Sequence, residues 1–156
     1  LSGERTPHND PHVRGSFHSM KTTTDATNMQ YAVIEGVSFG ILDGVNSILK
    51  VNDNFEKIFM VGGGSRSSFW IELLASLLNR NLSVCDQSEY GAALGVARLA
   101  MHSDKSIQNN NIIKEITTSK DYFPSSNKSD MLMKRYQIWK NLYSANKNIA
   151  SNLISK

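Results

Sequence analysis

Residues 57–70 constrain what this chain can fold into more than any other stretch. Lys57-Ile58-Phe59-Met60-Val61 reads as an apolar strand, Gly62-Gly63-Gly64 as a turn, and Ser65-Arg66-Ser67-Ser68-Phe69-Trp70 as the opening of a helix. Glycine has no Cβ, so it reaches positive φ cheaply and leaves room for a ligand beside the main chain. The helix behind it offers N–H donors and the positive end of its dipole. A phosphate or a nucleoside suits such a place; a tight strand-to-helix turn that binds nothing is the plain alternative. The loop has neither the Gly-Lys-Ser/Thr ending of a P-loop nor the spaced glycines of a dinucleotide turn, so a different nucleotide fold is implied.

The surrounding pattern is α/β. A proline-broken start runs to about Ser19, and a polar turn over residues 22–27 leads into a helix predicted over residues 28–50. A strand over 57–61, a helix over 67–79, a strand over 82–85 and a helix over 91–102 form a βαβα succession, which calls for parallel pairing. Residues 103–111 are polar and asparagine-rich and read as a mobile loop, and a long amphipathic helix is predicted over 128–154. Its Met131, Met133, Tyr136, Trp139, Leu142, Tyr143 and Ile149 are read as a core-facing stripe, and Lys134, Arg135, Lys140 and Lys147 as a solvated face. Only two strands are clear for several long helices.

Gly36, Gly40 and Gly44 recur every fourth residue on one helix face, each costing about 1 kcal/mol relative to alanine. That cost predicts a neighbour packed too closely for larger side chains. Glu35 beside them is read as a capped or salt-bridged structural acid, with a functional role as the alternative. Gly91 and Gly95 with Ala92, Ala93 and Ala97 make a small-residue helix start suited to close packing against the glycine loop, with the shaping of a ligand pocket as a second role.

Hydrophobic residues at 40% and charged residues at 20% are globular values, and 156 residues suffice to bury a core. The net charge of +3 is spread without a basic block, which excludes an extended nucleic-acid or membrane-surface footprint. No apolar run is read as approaching the roughly 20 residues that span a bilayer, and no signal segment is seen, so a cytoplasmic location is expected. The one cysteine, Cys85, reads as a small apolar side chain in a strand. His8, Asp10 and His12 alternate with Pro7 and Pro11 along this segment, where no helix can fix a metal geometry.

The chain resembles the FGGY carbohydrate kinases over nearly all its length. The glycine run is similar to the adenosine-binding segment of the sugar kinase, Hsp70 and actin superfamily. The opening Leu1-Ser2-Gly3-Glu4-Arg5-Thr6-Pro7-His8-Asn9-Asp10-Pro11-His12-Val13-Arg14-Gly15 resembles the start of the late part of that family. It leans towards the xylulokinases over the glycerol kinases, while gluconokinases share a related Gly-Glu-Arg element. The family's second signature is matched at Gly15, Phe17, Met20, Asn28, Met29, Ala32, Val33, Ile34 and Glu35, and the likeness resumes at Leu73-Leu74-Ala75 and at Gly91-Ala92-Ala93-Leu94-Gly95-Val96-Ala97. It departs at Ser19, where the family has glycine, and is weakest over residues 103–116.

The resemblance implies a ribonuclease-H-like ATPase domain, with residues 1–156 as the later part of the C-terminal ATP-binding domain and the N-terminal sugar-binding domain outside this chain. It implies ATP-dependent phosphorylation of D-xylulose, with ATP and Mg²⁺ as cofactors and a small sugar as partner through that missing domain. A homodimer is kept open; no nucleic acid or membrane partner is expected. Gly62, Gly63, Gly64, Ser65 and Ser68 are the implied nucleotide contacts. The general-base aspartate, the sugar pocket and the Gly-Thr-Ser phosphate hairpin are expected upstream, so this chain alone is expected to be inactive, and Leu1 in place of an initiator methionine suits a fragment. Another kinase of the family, or a non-catalytic nucleotide-binding module, is the alternative.

Overall fold

The computed structural model describes residues 3–51, 57–86, 88–104 and 116–154. Leu1 and Ser2 of the opening motif, and residues 105–115 of the polar loop, lie outside the described residues. The chain divides into two compact units, residues 56–125 and residues 1–55 together with 126–156.

The unit of residues 56–125 holds a three-stranded sheet in the order β1 (Ile58–Met60), β2 (Leu82–Cys85), β3 (Thr118–Tyr122). β1 and β2 are parallel with Ile58 opposite Leu82, as the βαβα pattern requires. β3 is antiparallel to β2, with Leu82 opposite Tyr122. The sequence reading missed β3 because Thr118-Ser119-Lys120-Asp121 is exposed and carries no apolar alternation; only Tyr122 is buried. Helix α2 (Ser68–Leu78) crosses between the parallel strands and buries Ile71, Leu73, Leu74, Ala75 and Leu77. Ile71, Leu74 and Ala75 meet Leu82, Val84 and Tyr122, so β2 turns alternate side chains into this core. Ser67 caps α2 by accepting from the Trp70 N–H, and Asn79 ends it in the left-handed conformation with φ 49°. Helix α3 (Gly91–Ser103) buries no residue fully.

The other unit pairs α1 (Ala26–Leu49) with α4 (Ser126–Ile154). α1 starts two residues before its predicted start because Asp25 and Asn28 form a capping box, each side chain accepting from the other's backbone N–H at 2.8 and 3.2 Å. At 24 residues, α1 is long and apolar enough by length and composition to cross a membrane, which corrects the reading that no such run exists. Its side chains are engaged within the unit: Phe39 lies 5.8 Å from both Tyr136 and Trp139, and Glu35 pairs with Arg135 at 3.0 Å. Burial pushes the Glu35 carboxyl up, and the Arg135 guanidinium pulls it back only in part. Tyr136 donates to Asp43, and burial with that bond pushes its hydroxyl up to about 12. Arg135 stays exposed, as the solvated-face reading expects, while its guanidinium reaches across to Glu35 on α1. The α4 stripe is also shifted from the predicted one, since Leu132, Tyr136 and Ala150 are buried whereas Met131, Met133 and Ile149 are exposed.

The close-packing expectation for the helix glycines does not hold. A Cβ at Gly40 would meet nothing within 4 Å, one at Gly36 only the Trp139 Nε1 at 4.0 Å, and one at Gly44 the Thr6 Cγ2 at 3.6 Å. Ser19, by contrast, sits at φ 59°, a backbone that favours glycine. The turn that a glycine would make is therefore retained at Ser19.

His8 stacks on Tyr143 at 3.6 Å, and Asp10 accepts from the His12 N–H at 2.9 Å and the Tyr143 hydroxyl at 3.1 Å. The His12 backbone bond, together with Tyr143 and Lys147, holds the Asp10 carboxyl below its ordinary range. These contacts pin the proline-broken segment within its unit.

Candidate nucleotide-binding loop

β1 ends at Met60, and Gly62 turns the chain at φ 81°, a conformation that a side chain would strain. One turn of 3-10 helix, Gly63–Arg66, carries the backbone into Ser67 and α2. Because β1 and β2 run parallel, the loop lies beyond the carboxyl end of β1, and the segment Ser88–Tyr90 that opens α3 lies beyond the carboxyl end of β2. Crevices at this end of a parallel sheet are where α/β proteins bind ligands.

The three glycines differ in what they do. Gly63 is exposed, and a Cβ there would meet nothing within 4 Å, so its backbone is open to a ligand. A Cβ on Gly64 would stand 2.8 Å from the Trp70 Cζ3, so glycine is required there by the chain's own indole. Gly62 is required for its φ. The sequence reading assigned all three to ligand approach; the structure gives that freedom most clearly to Gly63.

Ser65 is buried and Ser68 is exposed in the first turn of α2. The Ser65 hydroxyl donates to the Gly62 carbonyl at 2.7 Å and lies 2.7 Å from the Ser88 Oγ. Each hydroxyl has one proton, so Ser88 is the donor to Ser65. The Gly62 N–H donates to the Ser88 carbonyl at 2.7 Å, and Arg66 Nε donates to Glu89 Oε1 at 2.7 Å. The bond from Arg66 holds the Glu89 carboxyl below its ordinary range. Sequence reasoning missed Ser88 and Glu89, because nothing in a lone Ser-Glu-Tyr announces which loop it will meet.

Beside the loop is an open depression of about 720 Å³, lined by Val61, Cys85, Asp86, Gly91, Gly95 and Arg98 among others. Burial, followed by the charge of Asp86, pushes the Cys85 thiol up, so it is a protonated wall residue at neutral pH. Gly91 stands where a Cβ would meet the Val61 Cβ at 3.6 Å, ordinary contact. The small residues of α3 thus leave space beside the loop.

Residues 1–103 match the family model for the C-terminal domain of the FGGY family of carbohydrate kinases. The chain belongs to this family. It is 29% identical over 146 residues to a xylulose kinase of Escherichia coli, covering 92% of this chain and 30% of that protein. A xylulose kinase of Staphylococcus xylosus is 30% identical over 145 residues, with the same coverage of 92% and 30%. The crystal structure of a xyloylose kinase from Brucella ovis superposes with a TM-score of 0.82 at 32% identity, covering 96% of this chain and 31% of that one. A gluconate kinase from Lactobacillus acidophilus gives a TM-score of 0.74 at 27% identity, covering 93% and 30%. The chain therefore spans about 30% of the length of the relatives it matches.

Proposed function

We propose that residues 56–125 form the adenosine cradle of an ATP-dependent carbohydrate kinase whose sugar is D-xylulose. The observation that carries this reading is the Gly63 backbone, open to solvent between the carboxyl end of a parallel strand and the capped start of α2. Gly62 sets the turn, Gly63 and Gly64 present the main chain, Ser65 braces the loop from within, and Ser68 offers an exposed hydroxyl at the helix start. ATP would supply the phosphoryl group, and Mg²⁺ would neutralise charge as that group moves. No group of three or more metal-binding side chains occurs among the described residues, so the metal's ligands are assigned to the remainder of the parent protein. The sugar pocket and the carboxylate that accepts the sugar hydroxyl's proton are assigned there too. β1 lies at one edge of the three-strand order, which supports a ribonuclease-H-like sheet completed by strands from elsewhere in the parent. A cytoplasmic location suits an enzyme that consumes ATP.

The xylulose kinase names of the relatives support the choice of D-xylulose, and the gluconate kinase neighbour makes D-gluconate the second substrate to try. A coupled ADP-release assay with ATP and Mg²⁺ on the full-length protein should show turnover with D-xylulose above that with D-gluconate or glycerol, and none from residues 1–156 alone. Preference for gluconate would replace the substrate. Sugar-dependent turnover by the 156-residue chain would show the catalytic residues to be misassigned.

A further inference from the structure

The glycine loop does not hold its shape by itself. Gly62 at φ 81° and the exposed Gly63 are the residues with the most backbone freedom, yet a nucleoside needs their main chain in one place before it arrives. The loop's own bonds, from the Ser65 N–H and hydroxyl to the Gly62 carbonyl, are joined by atoms from the segment after β2. The Ser88 carbonyl accepts the Gly62 N–H and the Ser88 hydroxyl donates to the Ser65 Oγ, each at 2.7 Å, so one residue holds both sides of the turn. Both serines are buried, at 8% exposure each. Beside them Arg66 and Glu89 make a second, solvent-exposed tie between the same two segments.

We propose that Ser88 is a positioning residue for nucleotide binding: it stands in the wall of the depression beside the loop and, through its bonds to Gly62 and Ser65, sets the conformation of the loop that receives the nucleotide. This rests on the reading of that loop as the adenosine cradle. Loss of the hydroxyl leaves the Gly62 to Ser88 backbone bond in place, so Ser88→Ala retains the fold while the Ser65 side of the turn loosens. The Arg66–Glu89 tie is screened by salt, whereas the buried serine pair is not, so Glu89→Gln should have the smaller effect and should lose it at high salt.

The test is steady-state kinetics of the full-length protein with ATP, Mg²⁺ and D-xylulose, for the parent protein, Ser88→Ala, Ser65→Ala, the double variant and Gly63→Leu. Ser88→Ala should raise KM for ATP about three- to tenfold, the range of one hydrogen bond. It should leave KM for D-xylulose unchanged. The double variant should lose no more than the worse single variant, because both remove the same bond. If Gly63→Leu weakens ATP but Ser88→Ala does not, the positioning role is overturned and the cradle stands. If Gly63→Leu leaves ATP binding intact, the cradle falls and the role of Ser88 falls with it. Additive losses in the double variant, or equal rises in both KM values, would also overturn the proposal.

Discussion

Two sets of glycines, one in the loop of residues 62–64 and one along α1, look alike in the sequence and are unlike in the structure. In the loop each glycine has a separate physical reason: a positive φ at Gly62, an open main chain at Gly63, and the Trp70 indole 2.8 Å from where a Gly64 side chain would begin. Along α1 the regular spacing of Gly36, Gly40 and Gly44 corresponds to no close approach, and Gly40 faces open space. Periodicity shows which residues share a helix face but not what lies opposite, whereas a strand, a glycine turn and a capped helix in succession fix one another's geometry over a few residues. The first kind of inference needs tertiary knowledge; the second is local.

The largest effect that would sharpen this contrast is at Gly64. Gly64→Leu drives a side chain into Trp70 and should destabilise the protein by about 1–3 kcal/mol, the range of an overpacked site. Thermal unfolding measures it, and an unchanged melting temperature would mean that Trp70 moves aside freely. Next comes Ser19, a residue that holds φ 59° where glycine would be unstrained. Ser19→Gly should stabilise by up to about 1 kcal/mol, since a left-handed conformation costs an L-residue roughly 1–2 kcal/mol and glycine returns part of that as chain entropy. The smallest effect is at Gly40, where Gly40→Ala should stabilise by no more than about 1 kcal/mol through helix propensity alone. Destabilisation there would restore the idea of a tightly packed glycine face and break the comparison.

Much of the fold was legible beforehand for the reason the loop was. Both parallel strands, α2, α3 and α4 were found near their observed bounds, because apolar period and punctuation agree there. β3 was not legible: its residues are polar on both faces, and its pairing with β2 is a tertiary fact. Asp25 as the cap of α1 was hidden because Asp-x-x-Asn is a less familiar box than Ser-x-x-Glu. Arg135 is exposed as read, but its pairing with Glu35 was not legible, since the two lie 100 residues apart in sequence. Within the candidate site the sequence placed Gly62, Gly63, Gly64, Ser65 and Ser68 in one strand-to-helix turn, yet did not show what each contributes to it. That Ser65 would turn inward to Ser88 depends on where the chain returns after β2, which no local pattern specifies.

The account's central claim is that the exposed backbone at Gly63 receives the nucleotide. The most direct test is KM for ATP in the full-length protein carrying Gly63→Leu, with the melting temperature recorded alongside. A Cβ at Gly63 meets no other atom of this chain within 4 Å, so the fold of this chain should accept the new side chain. The account predicts an unchanged melting temperature, an unchanged KM for D-xylulose and a KM for ATP raised at least about tenfold, the equivalent of 1.4 kcal/mol. An ATP KM equal to that of the unaltered protein, in a variant that melts normally, would contradict it.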